Sequence, residues 1–343
     1  MKYKNKIKKF KLYFAYNFSS GPWGGGNQFL RFLHDFFKKK NITVNNVNKS
    51  NIIIFNSHHN LKDVLMLKLK YKNKYFVHRI DGPLSSYRKI DGKILDNLIF
   101  KFNKYIADYT VFLSEWSKKE SFRNGFKITN KFKVIHNQAN TKYFFFKKKN
   151  KKTKIKKIKL IYYSWSNNES KGFDYLNYLD KKLNFDKYEF SFIGNTKLKF
   201  KNIKIYKPVN NQRLCNLIHN HDLFLFCSKI ESCSNTLLEA MSCGIPLLVR
   251  NSSSNPEIFN NYSYLFKSKT ELLDKIRKFN FKKYKKKKIQ NKSFKEYEKV
   301  FIYFNNTALK PKKINLFLYM YLSFYLLMTL IKSKVFNIIK VQN

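Results

Sequence analysis

Nine short runs of β-branched and aromatic residues, separated by stretches of helical spacing, constrain this chain more than any other feature. They are LYFAY at 12–16, IIIF at 52–55, YFVH at 75–78, YTVFL at 109–113 and KVIH at 133–136. LIYY at 160–163, FSFIG at 190–194, LFLF at 223–226 and PLLV at 246–249 complete the set. Runs that are apolar at consecutive positions suit strands buried on both faces. Helical spacing fills several of the gaps, as in QFLRFLHDFF at 28–37 and again over 236–242. Strand and helix in alternation predict an α/β architecture with parallel sheets.

A length of 343 residues suggests about two domains, and 43% hydrophobic residues is enough for sizeable cores. The apolar pattern breaks at FFKKKNKKTKIKKIK, residues 145–159, which reads as a linker. The expected division is therefore 1–150, 151–305 and a tail over 306–343. A second basic break, KKYKKKK, covers 282–288.

Lysine and arginine number 70 against 21 acids, a net charge of +49. Such a charge draws a chain toward nucleic acid or an anionic membrane face. It also follows from drift in base composition, since the chain is crowded with Lys, Asn, Ile, Phe and Tyr, the residues of AT-rich codons. Neither zinc-finger spacing, an RNP-like motif nor a basic helix with interleaved aromatics supports a nucleic-acid partner. The four cysteines, Cys215, Cys227, Cys233 and Cys243, form no Cys-x-x-Cys pair and suit free thiols in a reducing cytosol. LYFAYNF near the N-terminus is too short and polar for a signal peptide and reads as the first strand.

Four stretches could carry chemistry. GPWGGGNQFL, 21–30, follows a strand and opens a helix. Its glycines, including Gly25 and Gly26, permit close backbone approach to an anion such as a diphosphate, or simply form a tight turn. VHRIDGP, 77–83, ends a strand, where open α/β sheets bind ligands. His78, Arg79 and Asp81 then either line a crevice or, for His78, serve the core. SWSNNESKGFDYL, 164–176, follows LIYY, and Lys171 precedes a glycine and a helix. That cation either holds a phosphate or is one solvated lysine among many. In KIESCSNTLLEAMSCGIP, 229–246, Glu231 lies in a strand-to-helix loop and Glu239 about one turn into the helix, with Ser234 as N-cap. Amides near Ser234, Asn235 and Thr236 suit a phosphate, and the flanking carboxylates suit sugar hydroxyls. One ligand carrying both is a nucleotide sugar.

With LLEAMSCGIPLL, the E-x7-E pair resembles the signature of glycosyltransferase family 4, a retaining family of GT-B fold. Other blocks resemble that family in order: GGGNQFL its glycine loop, VHRIDGP its N-domain histidine segment, VIHNQANTKYF its interdomain strand and loop, SKGFDYL its Lys-Gly block and NPEIF its post-signature segment. The resemblance runs from about Leu12 to Tyr303. It implies two Rossmann-like domains facing a central cleft. It implies that Glu231 touches the donor sugar, Glu239 holds the ribose hydroxyls and Lys171 holds the diphosphate, with His78 as a further catalytic residue. Ser166 stands where the family has an arginine, so Asn167, Asn168 or another basic residue must complete the clamp. SCSN replaces the signature glycine pair. Asp-x-Asp is missing, which fits a metal-independent site with no cofactor beyond the nucleotide-sugar donor.

The tail carries 18 uncharged residues, 314–331, flanked by Lys312, Lys313 and Lys332. As a helix this is roughly 27 Å long at about 1.5 Å per residue, just short of a hydrocarbon core. It could span a membrane, lie in its interface or dock on the protein, and its basic flanks favour an anionic cytoplasmic face. The expectation is a retaining glycosyltransferase at the inner membrane face, peripheral or anchored by its C-terminus, acting on a lipid-linked or polysaccharide acceptor. The alternative is a GT-B sugar-nucleotide or glycan-binding protein with an impaired clamp.

Overall fold

The computed structural model describes residues 10–19, 24–88, 91–147, 157–285 and 291–342. Residues 21–23 of the glycine stretch, 148–156 of the expected linker and 286–288 of the second basic break lie outside the described residues. In chain order the first part carries β1 (Leu12–Phe14), α1 (Gly25–Lys39), β2 (Ile52–Asn56), α2 (Leu61–Lys70) and β3 (Tyr75–Ile80). α3 (Gly92–Ile106), β4 (Tyr109–Phe112), α4 (Glu115–Arg123) and β5 (Lys131–Val134) follow. Next come β6 (Ile158–Ser164), α5 (Phe173–Lys182), β7 (Tyr188–Gly194), β8 (Lys204–Tyr206), α6 (Asn211–His219) and β9 (Leu223–Phe226). The remainder is α7 (Asn235–Cys243), β10 (Leu247–Arg250), α8 (Asn255–Phe259), β11 (Leu265–Phe266), α9 (Lys269–Arg277), α10 (Ser293–Tyr303) and α11 (Leu316–Gln342).

All nine apolar runs lie on strands. β8 and β11 were not legible as runs. They are three and two residues long, at opposite edges of one sheet, and β8 is exposed throughout.

The chain divides into two compact units, one of residues 1–18, 30–136 and 292–343, the other of 19–29 and 137–291. Two differences from the expected division stand out. The glycine segment groups with the second unit, and α10 groups with the first. α10 was expected to close the second unit, but its aromatic face packs elsewhere. Phe294 lies 4.7 Å from Phe32 and 4.6 Å from Phe36, and Phe301 lies 5.5 Å from Phe10 and 5.4 Å from Phe37, between ring centroids. Buried aromatic pairs add to the apolar area they remove from water, and here that gain falls in the first unit.

The first unit holds a parallel sheet in the order β1-β2-β3-β4-β5. Thr43 bridges Leu12 on the other side of β1, with Leu12 N donating to Ile42 O and Val44 N to Leu12 O. The chain thus leaves β1 in one direction with α1 and returns in the other with β2. Such a reversal of strand order opens a crevice at the strands' carboxyl ends.

α11 covers α2 and α3. Leu322 and Leu326, with Ile314 just before the helix, are buried in the core, and Thr329 is buried beside them. The approach to α11 is fixed by a buried ion pair. Lys68 Nζ donates to Asp108 Oδ2 at 3.1 Å with neither side chain exposed, while Lys312 N donates to Asp108 Oδ1 at 2.6 Å. The opposite face of α11 is bare: Phe317 is 80% exposed, Met320 60% and Phe324 64%, with Leu327 and Ile331 continuing the stripe.

The second unit holds a six-stranded parallel sheet, β11-β10-β9-β6-β7-β8. Counted from its own first strand this is the doubly wound order 3-2-1-4-5-6, with the reversal between β6 and β9. Two glycines are required by the backbone there. A Cβ on Gly194 (φ +135°), at the end of β7, would meet Ser164 O at 1.9 Å, and one on Gly172 (φ +78°) would meet Cys227 O at 2.2 Å.

Candidate functional site

The carboxyl ends of β6, β7 and β9 are the place where this topology leaves a crevice, and an open pocket of about 640 Å³ is found there. β6 contributes Tyr163, Ser164 and the following Trp165, and β7 contributes Ile193 and Gly194. α6 contributes Asn211 and Leu214, and α7 contributes Asn235, Thr236 and Glu239. Gly24, Gly25 and Gln28 complete the wall, and Asn235 Nδ2 donates to Gly25 O at 2.9 Å. None of these described lining residues is basic.

α7 starts where the sequence predicts. Ser234 caps it, its hydroxyl accepting from Leu237 N at 3.4 Å, and Gly244 at φ 71° ends it. The first-turn residues Asn235 and Thr236 therefore face the pocket at a helix N-terminus, where free amides favour anions. Asn137 fixes the side chain of Asn235, donating to its Oδ1 at 3.0 Å.

Glu239 lies half-buried on the same wall. Tyr163 Oη donates to Glu239 Oε2 at 2.7 Å and lies 3.2 Å from Thr236 O. Burial pushes the Glu239 carboxyl up to about 7, against the hydrogen bond from Tyr163 that favours its charged form. Burial and the neighbouring carboxylate hold the Tyr163 hydroxyl well above the usual phenol range, so it stays a donor. Its single proton serves one acceptor at a time. The shorter contact, to Glu239 Oε2, takes it.

Glu231 and Lys171 lie outside the pocket lining and form a pair of their own. Lys171 Nζ donates to Glu231 Oε1 at 2.6 Å, with the two side chains 23% and 13% exposed. Ser228 Oγ donates to the same oxygen at 2.7 Å, and Glu231 N donates to Ser253 Oγ at 2.9 Å. Lys171 occupies a short helical turn capped by Asn168, whose Oδ1 accepts from Ser170 N at 2.8 Å. Ser166 Oγ accepts from Asn168 N at 3.2 Å, so the SWSNN loop is held by its own polar side chains. Gly26 follows Gly25 in the first turn of α1, half-buried and outside the lining.

His78, expected at a strand-end crevice, sits instead within β3 and is fully buried. It stacks on Phe55 with centroids 4.1 Å apart. Nε2 lies 3.1 Å from Ser57 O, and Nδ1 accepts from Asn103 Nδ2 at 3.1 Å. Burial lowers its ring to about 3, which keeps it neutral. Arg79, also expected there, is likewise fully buried in β3 and reaches the strand end only through its partner. Arg79 pairs with Asp81, Asn56 Nδ2 donates to Asp81 Oδ2 at 2.7 Å, and His59 packs edge-on to Tyr16 at 5.4 Å. His58 stacks on His59 at 4.5 Å, and burial, then the charge on its neighbour, lowers it to about 4. The HHN triplet two residues beyond the IIIF run was the available signal for this group. Tyr163 and Trp165, at the end of LIYY, were the corresponding signal for the pocket.

Two parallel-sheet, Rossmann-like units with a site at the second unit's strand-order reversal define the GT-B glycosyltransferase fold. Residues 144–300 match the family described as glycosyl transferases group 1. Among solved structures, Anabaena HepE in complex with UDP-glucose aligns with a TM-score of 0.63 over 93% of this chain and 99% of that one, at 12% identity. WaaG, a glycosyltransferase involved in lipopolysaccharide biosynthesis, aligns with a TM-score of 0.58 over 87% and 96%, at 11% identity. Identities this low speak for the fold alone. An uncharacterized 41.2 kDa protein in the cps region of Klebsiella pneumoniae is 30% identical over 99 residues, 27% of this chain. That match spans only 28% of the curated relative's length.

Proposed function

We propose that the protein is a retaining glycosyltransferase that moves a sugar from a nucleotide-diphosphate donor to an acceptor of cell-surface polysaccharide synthesis. The observation that carries this reading is the pocket at the β6–β9 reversal, where an ionisable carboxylate and a helix N-terminus face the same space. Glu239 takes the ribose hydroxyls, and Trp165 offers an aromatic surface for the base. The α7 amides and Lys171 take the diphosphate. Glu231, held by Lys171 and Ser228, takes the donor sugar. In this family-4-like scheme the acceptor hydroxyl attacks from the face the nucleotide leaves, and no protein nucleophile is needed. The chain positions two substrates and meets the charge that develops on the departing diphosphate, without a metal in the transfer step. The strand ends of the first unit, with Tyr16, His59 and Asp81, the last held from below by buried Arg79, are the proposed acceptor face. The cps-region relative supports a polysaccharide acceptor.

The bare stripe of α11 supports placement at a membrane. Leu316–Val335 is long and apolar enough to cross one, yet Leu322, Leu326 and Thr329 are docked in the first unit. A helix docked on one face and apolar on the other lies in the interface, and Lys310, Lys312, Lys313, Lys332 and Lys334 suit anionic headgroups.

One observation favours the binding-protein alternative: Lys171 already spends its charge on Glu231, and Ser166 stands where a second cation is expected. A transfer assay separates the two, using radiolabelled UDP-, GDP- and ADP-sugars with membranes as acceptor source. Label entering the glycan fraction supports the transferase. A donor that binds without turnover supports the alternative.

A further inference from the structure

We propose that Cys215, His219 and Cys243 form a binding site for one zinc-class divalent cation that braces α6 against α7. Cys215 and His219 are neighbours on one helix, while Cys243 lies 24 residues beyond His219 in sequence, and folding brings the three together. Cys215 and His219 are four apart on α6, hence on one face, and Asn210 caps that helix by accepting from Arg213 N at 2.9 Å. Cys243 is the last residue of α7.

The ligand atoms all lie within 4.8 Å of one another. Cys215 Sγ is 3.8 Å from Cys243 Sγ and 3.7 Å from His219 Nδ1. Thiolates about 2.3 Å and imidazole about 2.0–2.1 Å from a tetrahedral zinc are separated by roughly 3.8 Å (S to S) and roughly 3.6 Å (S to N). Two edges of the tetrahedron are therefore already present, and the sulfurs are too far apart for a disulfide.

The histidine supplies a second, independent observation. His219 Nε2 lies 2.9 Å from Phe145 O. A carbonyl only accepts, so Nε2 carries the proton and Nδ1 presents its lone pair to Cys215. Backbone support of the distal ring nitrogen is the arrangement that orients metal-bound histidines. Cys215 and Cys243 are buried, at 0% and 2% exposure, while His219 is half-buried and leaves the fourth position open to water. Binding releases the two thiol protons to solvent, and zinc is not reduced or oxidised.

The consequence reaches the pocket. α6 carries Asn211 and Leu214 of its lining, and α7 carries Glu239 one turn before Cys243. An ion joining the two helices would fix the wall on which Glu239 stands without entering the pocket.

The test is a cobalt(II) titration of the reduced full chain, read by thiolate-to-cobalt charge-transfer absorption, with zinc as competitor. The expected result is one cobalt per chain, displaced by zinc. Cys215→Ser and His219→Gln should each lose the absorption, a weakening beyond the roughly 10–100-fold typical of outer-shell partners. Cys227→Ala, which alters a buried thiol elsewhere, should retain it. No charge-transfer absorption in the reduced wild-type chain, or absorption that survives both substitutions, overturns the site and leaves a thiol–imidazole hydrogen bond. Because the wild-type titration reads the site directly, misfolding of a variant does not blunt the test.

Discussion

Lys171 Nζ donates to Glu231 Oε1 at 2.6 Å, joining the turn after β6 to the loop after β9 across the reversal of strand order. The cation and the carboxylate proposed to take diphosphate and sugar hold each other directly. Removing either leaves a partly buried charge that loses its partner. Lys171→Ala and Glu231→Ala should each lower stability, and the double variant should show a coupling of about 1–2 kcal/mol in urea denaturation. Additive effects would mean that the two do not interact in solution. On the transfer side, Lys171→Ala should slow turnover by roughly 100- to 1000-fold, the scale for losing one strong electrostatic donor.

Gly172 follows Lys171 in a left-handed conformation, against Cys227 O. Backbone approach alone therefore requires a glycine at this position. Gly172→Ala should destabilise the chain by at least ~2 kcal/mol, since strain and overlap act together. A shift in the urea midpoint checks this, and an unchanged midpoint would mean the turn relaxes freely.

Much of this site was legible. Continuous apolar runs gave nine strands because parallel strands are buried on both faces, and Ser234 with Gly244 bracketed α7 by local capping chemistry. What escaped depended on three-dimensional neighbours. β8 and β11 are too short and too near an edge to carry a pattern. His78 and the strand-end histidines look alike in sequence, and only pairing register places His78 opposite Phe55 in the core. The tail was ambiguous because α11 is apolar on two opposite faces, one for the core and one for its surroundings, so no polar side reveals the docked stripe.

That double face changes what truncation does. Ending the chain after Asn306 removes Leu322 and Leu326 from the first unit's core and should destabilise it rather than merely release it from a membrane. Polar substitutions on the bare stripe, Phe317→Ser with Phe324→Ser, should keep the thermal midpoint within a few degrees and abolish flotation with anionic vesicles. Vesicle binding that survives these substitutions would place the membrane contact elsewhere.

The buried titrating groups act in opposite directions. The Glu239 carboxyl is raised to about 7 from an ordinary value near 4.5. The stability linked to its neutral form is complete below 4.5 and lost as pH rises through 7, roughly 3 kcal/mol at about 1.4 kcal/mol per unit. His78, lowered to about 3 from 6.5, contributes stability above pH 6.5 that is lost on acidification. Glu239→Gln should therefore flatten the decline in stability between pH 4.5 and 7 and leave the acid limb unchanged. The pH dependence of the urea midpoint reads both limbs.

The central claim is that the pocket beside α7 binds a nucleotide-diphosphate sugar through Glu239. Calorimetric titration of UDP-, GDP- and ADP-sugars into the wild type and Glu239→Gln at pH 8 tests it most directly. One donor should bind at one per chain. The substitution should weaken it by about 1.5–3 kcal/mol, roughly 10- to 150-fold, as the ribose hydroxyls lose a charged acceptor. Binding of no donor, or binding of equal strength in Glu239→Gln, would contradict the account.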